Sequence, residues 1–423
     1  MLSCAGTRTR PARAAVAILL AGALASLAGC GDSAPTSTLG LDASTPSTRA
    51  SCASAVLETL SRVAQRIYHQ GVRSERTKVA LRLIGRSAAL REAVRTGDPV
   101  AARAAAQALL ATHHMTNVRV VRDGRVLAEV GAPQALAPLY GTIAAPGGAR
   151  ASVTTSVWAV SGVVAETHGM TEASVLLREG DRDIAGEPRL GTRPLGPSGT
   201  FTLNGMRYRY TSFPIKRFSG APAREYLIRS PSSTADVCGP TEQDTVVRVL
   251  SRIARRVYEA EGGHRTLAQV RRVQGDGALL RAVAARDPAA TRKAIEDLLT
   301  QHIVRLRVSD AGGKLLSDVG GPDVLAPVRA PLDLGGRMIG DFVLSIQDDE
   351  GYLRLTRRLV GLKVIMRTRA GIVKNDLGPD PGRVPTSGSF SYRGERFRVY
   401  TFTATAFPSA PLTIQVLVPI PYS

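Results

Sequence analysis

Leu60 to Tyr68 reads LSRVAQRIY, and 190 positions later Leu250 to Tyr258 reads LSRIARRVY, with six of the nine residues identical. The two core changes, Val63 against Ile253 and Ile67 against Val257, exchange β-branched residues and keep the total volume. Such a repeat constrains the fold to a duplication. Later blocks hold the offset at 188–190: LREAVRTGDPVAARAAAQALLATHH from Leu90 answers LRAVAARDPAATRKAIEDLLTQH from Leu280, and PSGTFTLNGMRYRYTSF answers TSGSFSYRGERFRVYTF. Copy one is expected over 52–236 and copy two over 244–423, with 237–243 joining them. Each copy is long enough to bury its own core.

Within copy two, Val246, Val247, Leu250, Ile253, Ala254 and Val257 recur at helical spacing, so a long amphipathic helix opens the domain. Asp287-Pro288 supplies an N-cap and a first-turn proline for a second helix through Leu299, and Asp98-Pro99 does so in copy one. Strands follow at 303–309, 314–319 and 338–346, then a helical stretch at 352–360. Further strands at 362–367, 389–392, 395–402 and 412–418 close the copy. A long helix and a second helix packed on an antiparallel sheet make an α+β fold, written twice in tandem.

This order resembles the Cache domains, the PAS-like extracytoplasmic sensor modules of bacteria. The likeness rests on the long first helix, on the strand–turn–strand RVSDAGGKLLSDVG and on GGRMIGDFVLSIQDDEGY, which carries the third strand and its exit. It covers both copies, although SVTTSVWAVSGVVAETHGMTEAS in copy one shares little with copy two. The resemblance implies a small molecule bound on the sheet face away from the long helix.

At the other end of the chain, Arg8, Arg10 and Arg13 precede an apolar run from Ala14 to Ala25 that is too short to span a bilayer as a permanent helix. It ends in Leu27-Ala28-Gly29-Cys30, which is similar to the lipobox of bacterial lipoproteins. That likeness implies cleavage of a signal peptide at 1–29 and a diacylglyceryl group on the sulfur of Cys30. The mature protein would then be lipid-anchored on the extracytoplasmic face of the cell membrane. Residues 30–51, rich in Ser, Thr, Ala and Pro, read as a disordered tether with a reach of roughly 25 Å. Any cytoplasmic output would need a partner, such as a transmembrane receptor or a transporter.

Cys4 leaves with the signal, so Cys52 and Cys238 are left in an oxidising compartment, either bonded across the ends of copy one or as two buried thiols. The formal charge of +20 favours anionic surfaces and acidic ligands. The compartment and the lack of any aromatic-basic motif exclude nucleic acid as a partner.

Alternation along the strands nominates a ligand face. Val304, Leu306 and Val308 point toward the helices, and Arg305 and Arg307 away from them. Arg396, Arg398 and Tyr400 alternate with Phe397 and Val399. Copy one supplies Arg119, Arg207 and Arg209 at matching positions. Guanidinium forks suit carboxylates and phosphates, so these arginines point to an anionic metabolite such as an organic acid. The plain alternative is a solvated strand face. His302, matched by His114, stands near the expected pocket, or else caps its helix. Tyr140, Trp158 and Tyr352 are wall or core. No metal spacing, no nucleophile elbow, no phosphate loop and no redox pair is present, so no cofactor and no catalysis are expected. The rival reading is a structural or protein-interaction lipoprotein that has lost its ligand. Convergence of Arg305, Arg307, Arg396 and Arg398 on one cavity would separate the two.

Overall fold

The computed structural model describes residues 46–422 except 113, 114, 133, 260–263, 300, 301 and 323. The expected signal peptide, the lipidation site Cys30 and the tether up to residue 45 lie outside the described residues. Copy one opens with α1 (Pro46–Arg73), which begins ahead of the boundary that composition suggests. Three shorter helices follow: α2 (Glu75–Arg86), α3 (Ala88–Thr96) and α4 (Pro99–Thr112). Ser74 and Ser87 cap α2 and α3 by accepting from the backbone N–H of Thr77 and Leu90. Asp98 caps α4 through Val100 and Ala101, as its Asp-Pro signature predicts.

The strands come next: β1 (Asn117–Arg122), β2 (Arg125–Gly131), β3 (Ala135–Leu136), β4 (Leu139–Ala144), β5 (Arg150–Ser156) and β6 (Trp158–Ala159). Helix α5 (Val160–Thr171) leads to β7 (Ser174–Glu179), β8 (Arg182–Gly186), β9 (Ser198–Leu203), β10 (Met206–Lys216) and β11 (Pro222–Arg229), and α6 (Pro231–Ala235) ends the copy. Copy two repeats the order with α7 (Glu242–Glu259), α8 (His264–Gln274), α9 (Gly277–Ala284) and α10 (Pro288–Leu299). Its strands are β12 (Arg305–Asp310), β13 (Leu315–Gly320), β14 (Val324–Leu325), β15 (Val328–Leu334), β16 (Arg337–Ser345) and β17 (Gln347–Asp348). After α11 (Asp349–Val360) come β18 (Lys363–Thr368), β19 (Gly371–Asn375), β20 (Gly388–Tyr392), β21 (Glu395–Ala406) and β22 (Ala410–Pro419).

The fold is α+β with antiparallel sheets behind a long first helix, as expected, but each copy divides its strands between two sheets where the element order suggests one. Copy one has β2-β1-β5-β4 and β8-β7-β11-β10-β9; copy two has β13-β12-β16-β15 and a larger sheet built on β14-β21-β22-β18-β19. The break between sheets falls at a buried serine. The Ser156 hydroxyl donates to Leu136 O and accepts from Trp158 N, and Ser345 does the same with Leu325 O and Gln347 N. A hydroxyl thus satisfies backbone groups that a continuing ladder would have paired.

The repeated nonapeptides meet each other. Leu60, Val63, Ala64 and Ile67 share one core with Leu250, Ile253, Ala254 and Val257, together with apolar residues of α5, α11 and the inner faces of the second sheets. Helices α1 and α7 run parallel: Cys52 Sγ lies 3.8 Å from Thr245 Oγ1, and farther along Leu60 and Ile253 line one narrow gap. The closing tyrosines tie each helix to its own sheet. Tyr68 accepts from Lys216 N at 2.8 Å and Tyr258 from Thr405 N at 2.9 Å. The first sheets keep separate cores with α2–α4 and α8–α10. No described helix is long and apolar enough to cross a membrane.

Cys52 and Cys238 are bonded, with Cα atoms 5.7 Å apart across 186 residues of sequence. Reduction is expected to lower stability by about 2–4 kcal/mol, because the bond restricts the unfolded chain. Urea unfolding with and without a reductant measures this. Equal midpoints would show that the bond contributes nothing.

Candidate functional site

The nominated arginines do not come together. Arg305 and Arg307 do lie on the outer face of β12, while Leu306 and Val308 are buried against the helices. That face is tied up in cross-strand ion pairs. Asp318 receives Arg305 at 2.8 and 3.0 Å and Arg307 at 3.7 Å, and the Arg305 guanidinium lies 4.8 Å from the Phe407 ring centroid. Arg119 stands 3.5 Å from Glu129 at the matching place in copy one. Arg396, Arg398 and Tyr400 belong to the other sheet, and the face expected for them is reversed. It is Phe397 and Val399 that point outward, packed with Ile365, Leu377, Val384 and Leu417 under the segment 376–387. Tyr400 and Phe402 join the helix-side core, and Arg398 bonds Asp244 in the first turn of α7 at 2.9 Å. Arg396 is exposed.

The reversal has a simple cause. Helices cover one face of this sheet and a loop covers the other, so apolar residues no longer mark the helix side. Arg207 and Arg209 follow the same pattern: Tyr208 and Tyr210 sit in the outer cluster, and Phe213 in the helix-side core. Arg305 and Arg398 end up near opposite ends of β21, roughly 25–30 Å apart along the strand. His302 is exposed with φ 70°, and its counterpart His114 lies outside the described residues. Tyr352 is core, donating to Ala254 O at 2.9 Å; Trp158 is half-buried and Tyr140 exposed.

A different recess lies on the outer face of the second sheet of copy two. It measures about 300 Å³ and is lined by Arg367, Thr368, Arg383, Val384, Thr386, Thr413 and Gln415. No acidic side chain lines it. Arg367 is placed by β18 and Gln415 by β22, whose register sets Arg367 beside Thr413. Gln415, buried, accepts from Arg367 Nε at 2.8 Å and donates to Val384 O and Pro385 O at 3.2 and 2.9 Å. One amide therefore orients the guanidinium and pins the covering segment. Arg367 Nη2 also reaches Gly382 O at 3.3 Å. Arg383 stands exposed at the rim. Two larger hollows, of about 340 and 410 Å³, lie where α1 meets the C-terminal segment. Both include Arg62, already engaged with Glu58 at 2.9 Å and Tyr422 O at 2.6 Å.

Copy one fills the equivalent place. Tyr226 occupies the register position of Gln415, and its hydroxyl donates to Leu195 O at 3.3 Å. Arg224, at the position of Thr413, folds onto Ser212. Pro194 stands at the repeat position of Arg383. Nothing in the composition of either strand marks this recess. The signal is the difference between copies at the repeat offset.

Among the described residues no group of three metal-ligating side chains is assembled. Comparison with family models and with curated proteins finds no match. Solved structures give partial likenesses. One is the periplasmic domain of Vibrio cholerae LuxQ, 14% identical over 40% of this chain and 97% of that one, with a TM-score of 0.27. Another is the ligand-binding domain of the Pseudomonas fluorescens chemoreceptor CtaA in complex with L-isoleucine, at 12% identity, 45% and 98% coverage and a TM-score of 0.28. A third is an extracellular ligand binding receptor from Desulfohalobium retbaense, at 13%, 53% and 47%, with a TM-score of 0.23.

Proposed function

We propose that this is an extracytoplasmic, lipid-anchored protein of the sensor type, which captures a small anionic metabolite such as an organic acid and performs no catalysis. Capture takes place in copy two. The observation that carries this reading is the recess of about 300 Å³ with two guanidiniums in its lining, at a place that Tyr226 fills in copy one. A ligand seated there would touch the 376–387 segment, which Gln415 already ties to the sheet. Binding would order that segment, and a transmembrane receptor or transporter would read its surface.

Thermal unfolding against a panel of organic acids, amino acids and purines tests the reading. A ligand at about 100 times its Kd adds about 2.7 kcal/mol. Arg383→Ala removes a charged donor without disturbing a described contact, and is expected to weaken binding by roughly 10- to 100-fold, from about 1.5–3 kcal/mol for a hydrogen bond to a charged group. An anion that stabilises the wild type and the variant alike would remove Arg383 from the site.

One observation favours a second reading, a protein-interaction lipoprotein without a ligand. Arg305, Arg307, Arg396 and Arg398 do not converge, and the first pair is already matched to Asp318. A cooperative melt that no panel member shifts would support it.

A further inference from the structure

The duplication supplies an internal reference for the electrostatics of the recess. In copy one, Arg178 faces Asp183 across the β7–β8 pair, its Nε 2.8 Å from Oδ1, with both side chains nearly or fully buried at 0% and 7% exposure. In copy two the register sets Arg367 opposite Ile372 in the same way across β18 and β19. The arginine is kept and its counter-ion is not. Arg178 holds Arg193 O, and Arg367 holds Gly382 O, its match at the repeat offset, so the guanidiniums occupy equivalent places. In copy two the Nε that met a carboxylate meets the neutral Gln415 amide instead.

Loss of the carboxylate coincides with three other changes. Tyr226 gives way to Gln415, which opens the recess, Arg224 gives way to Thr413, and Pro194 gives way to Arg383, which puts a cation on the rim in place of the one lost from the strand. A half-buried guanidinium with only neutral acceptors is costly unless a charge is brought to it. Loss of the carboxylate and opening of the recess make the site more receptive to an anion, and the rim arginine keeps two cations in its lining.

We infer that Arg367, oriented by Gln415, binds an oxyanion group of the ligand, a carboxylate or a phosphate, which takes the part that the Asp183 carboxylate plays in copy one. This rests on the ligand-binding reading above and narrows it. One oxyanion is shared by Arg367 and Arg383, while Thr368, Thr386 and Thr413 offer hydroxyls to the remaining oxygens. Copy one, which carries its own carboxylate, is closed to such ligands.

Ile372 is exposed and does not line the recess, so it can be changed without altering the pocket wall. Ile372→Asp restores the copy-one pair, and Ile372→Asn is its neutral control of equal size. Calorimetric titration of the purified full-length protein with succinate and with inorganic phosphate tests the assignment. Binding of either probe to the wild type, retained by I372N and weakened at least tenfold by I372D, is the expected result, and the probe that binds more tightly gives the oxyanion class. Equal binding by I372D and I372N would overturn the assignment while leaving anion capture standing. If neither probe binds but an uncharged compound of the thermal panel does, the inference falls together with the anionic ligand, and only small-molecule capture of the sensor type survives. If nothing binds, both fall.

Discussion

Replacing Glu225 by isoleucine is expected to stabilise the protein by roughly 3 kcal/mol at pH 7 and to leave a variant whose stability changes less with pH. Glu225 lies on β11 and is fully buried, and neither carboxyl oxygen has a hydrogen-bond partner among the described residues. Burial pushes its pKa up to about 8; the Thr167 hydroxyl pulls the other way without reaching ordinary hydrogen-bond geometry. Its surroundings are apolar. It pairs in register with Phe213 on one side and Leu177 on the other. The titratable neighbour is Tyr68 of α1, whose own pKa is raised mainly by burial and in part by Glu225. The register position in copy two holds Ile414, fully buried in the same core. The substitution therefore follows a solution that the chain already uses.

The sign follows from linkage. The unfolded chain releases the Glu225 proton near the ordinary carboxylate value, whereas the folded chain holds it until about pH 8. The neutral group is tolerated fully below the lower value, and stability is lost as pH rises toward the upper one, by about 1.4 kcal/mol per pH unit. The difference between Glu225→Ile and wild type should widen from pH 5 to pH 8 and then level off. Denaturant unfolding at pH 5, 6, 7 and 8 measures it. A gap of constant size would mean that the carboxyl does not stay protonated in the folded chain.

The same pairing of copies explains what was legible in the amino-acid sequence. The repeat blocks, the Asp-Pro helix starts and most strands of copy two lie where periodicity places them: 288–299 is α10 and 412–418 falls inside β22. Periodicity alone does not separate α2, α3 and α9, because what marks each start is a single capping residue, Ser74, Ser87 or Asp276, inside a long helical pattern. Division into two sheets depends on buried serines that look like any other serine. On β12 the faces of Leu306 and Val308 against Arg305 and Arg307 follow the alternation, whereas Val304, just ahead of the strand, packs instead with Val324, Val343 and Phe407. On β21 the faces are reversed, because a loop covers the outer side. Arg367 stands out in no sequence pattern, since β18 holds no second arginine to alternate with it. What singles it out is the exchange of Asp183 for Ile372, which gains meaning only once the register joins those positions to the arginines.

Arg178 should be the most costly side chain to lose in copy one. Arg178→Met is expected to destabilise the protein by about 3–5 kcal/mol, the range for breaking a buried ion pair by removing one partner. Its Nη1 donates to Arg193 O at 2.7 Å, and Nη2 to Gly191 O at 2.7 Å and to Asp181 O. Asp183 in turn accepts from Leu190 N and Gly191 N at 2.7 and 2.9 Å. Without the guanidinium, Asp183 is a buried carboxylate with only amides to face, the segment 187–197 loses two carbonyl anchors and the β7–β8 turn loses one. Adding Asp183→Ile, the copy-two residue, removes the stranded charge. The double variant should recover part of the loss but not the two amide bonds. Amide exchange at Leu190 and Gly191 should be fast in the double variant and slower in Arg178→Met, where Asp183 still accepts from both. A double variant no more stable than Arg178→Met would show that the carbonyl anchors, and not the stranded charge, dominate the cost. Copy two already lives without this ion pair, and its Arg367 keeps one carbonyl anchor at Gly382. Its covering segment is held by the Gln415 amide instead, with Tyr392 and Thr401 at Pro379 O and Thr386 O, so the cover over the candidate site is tied down without a buried ion pair.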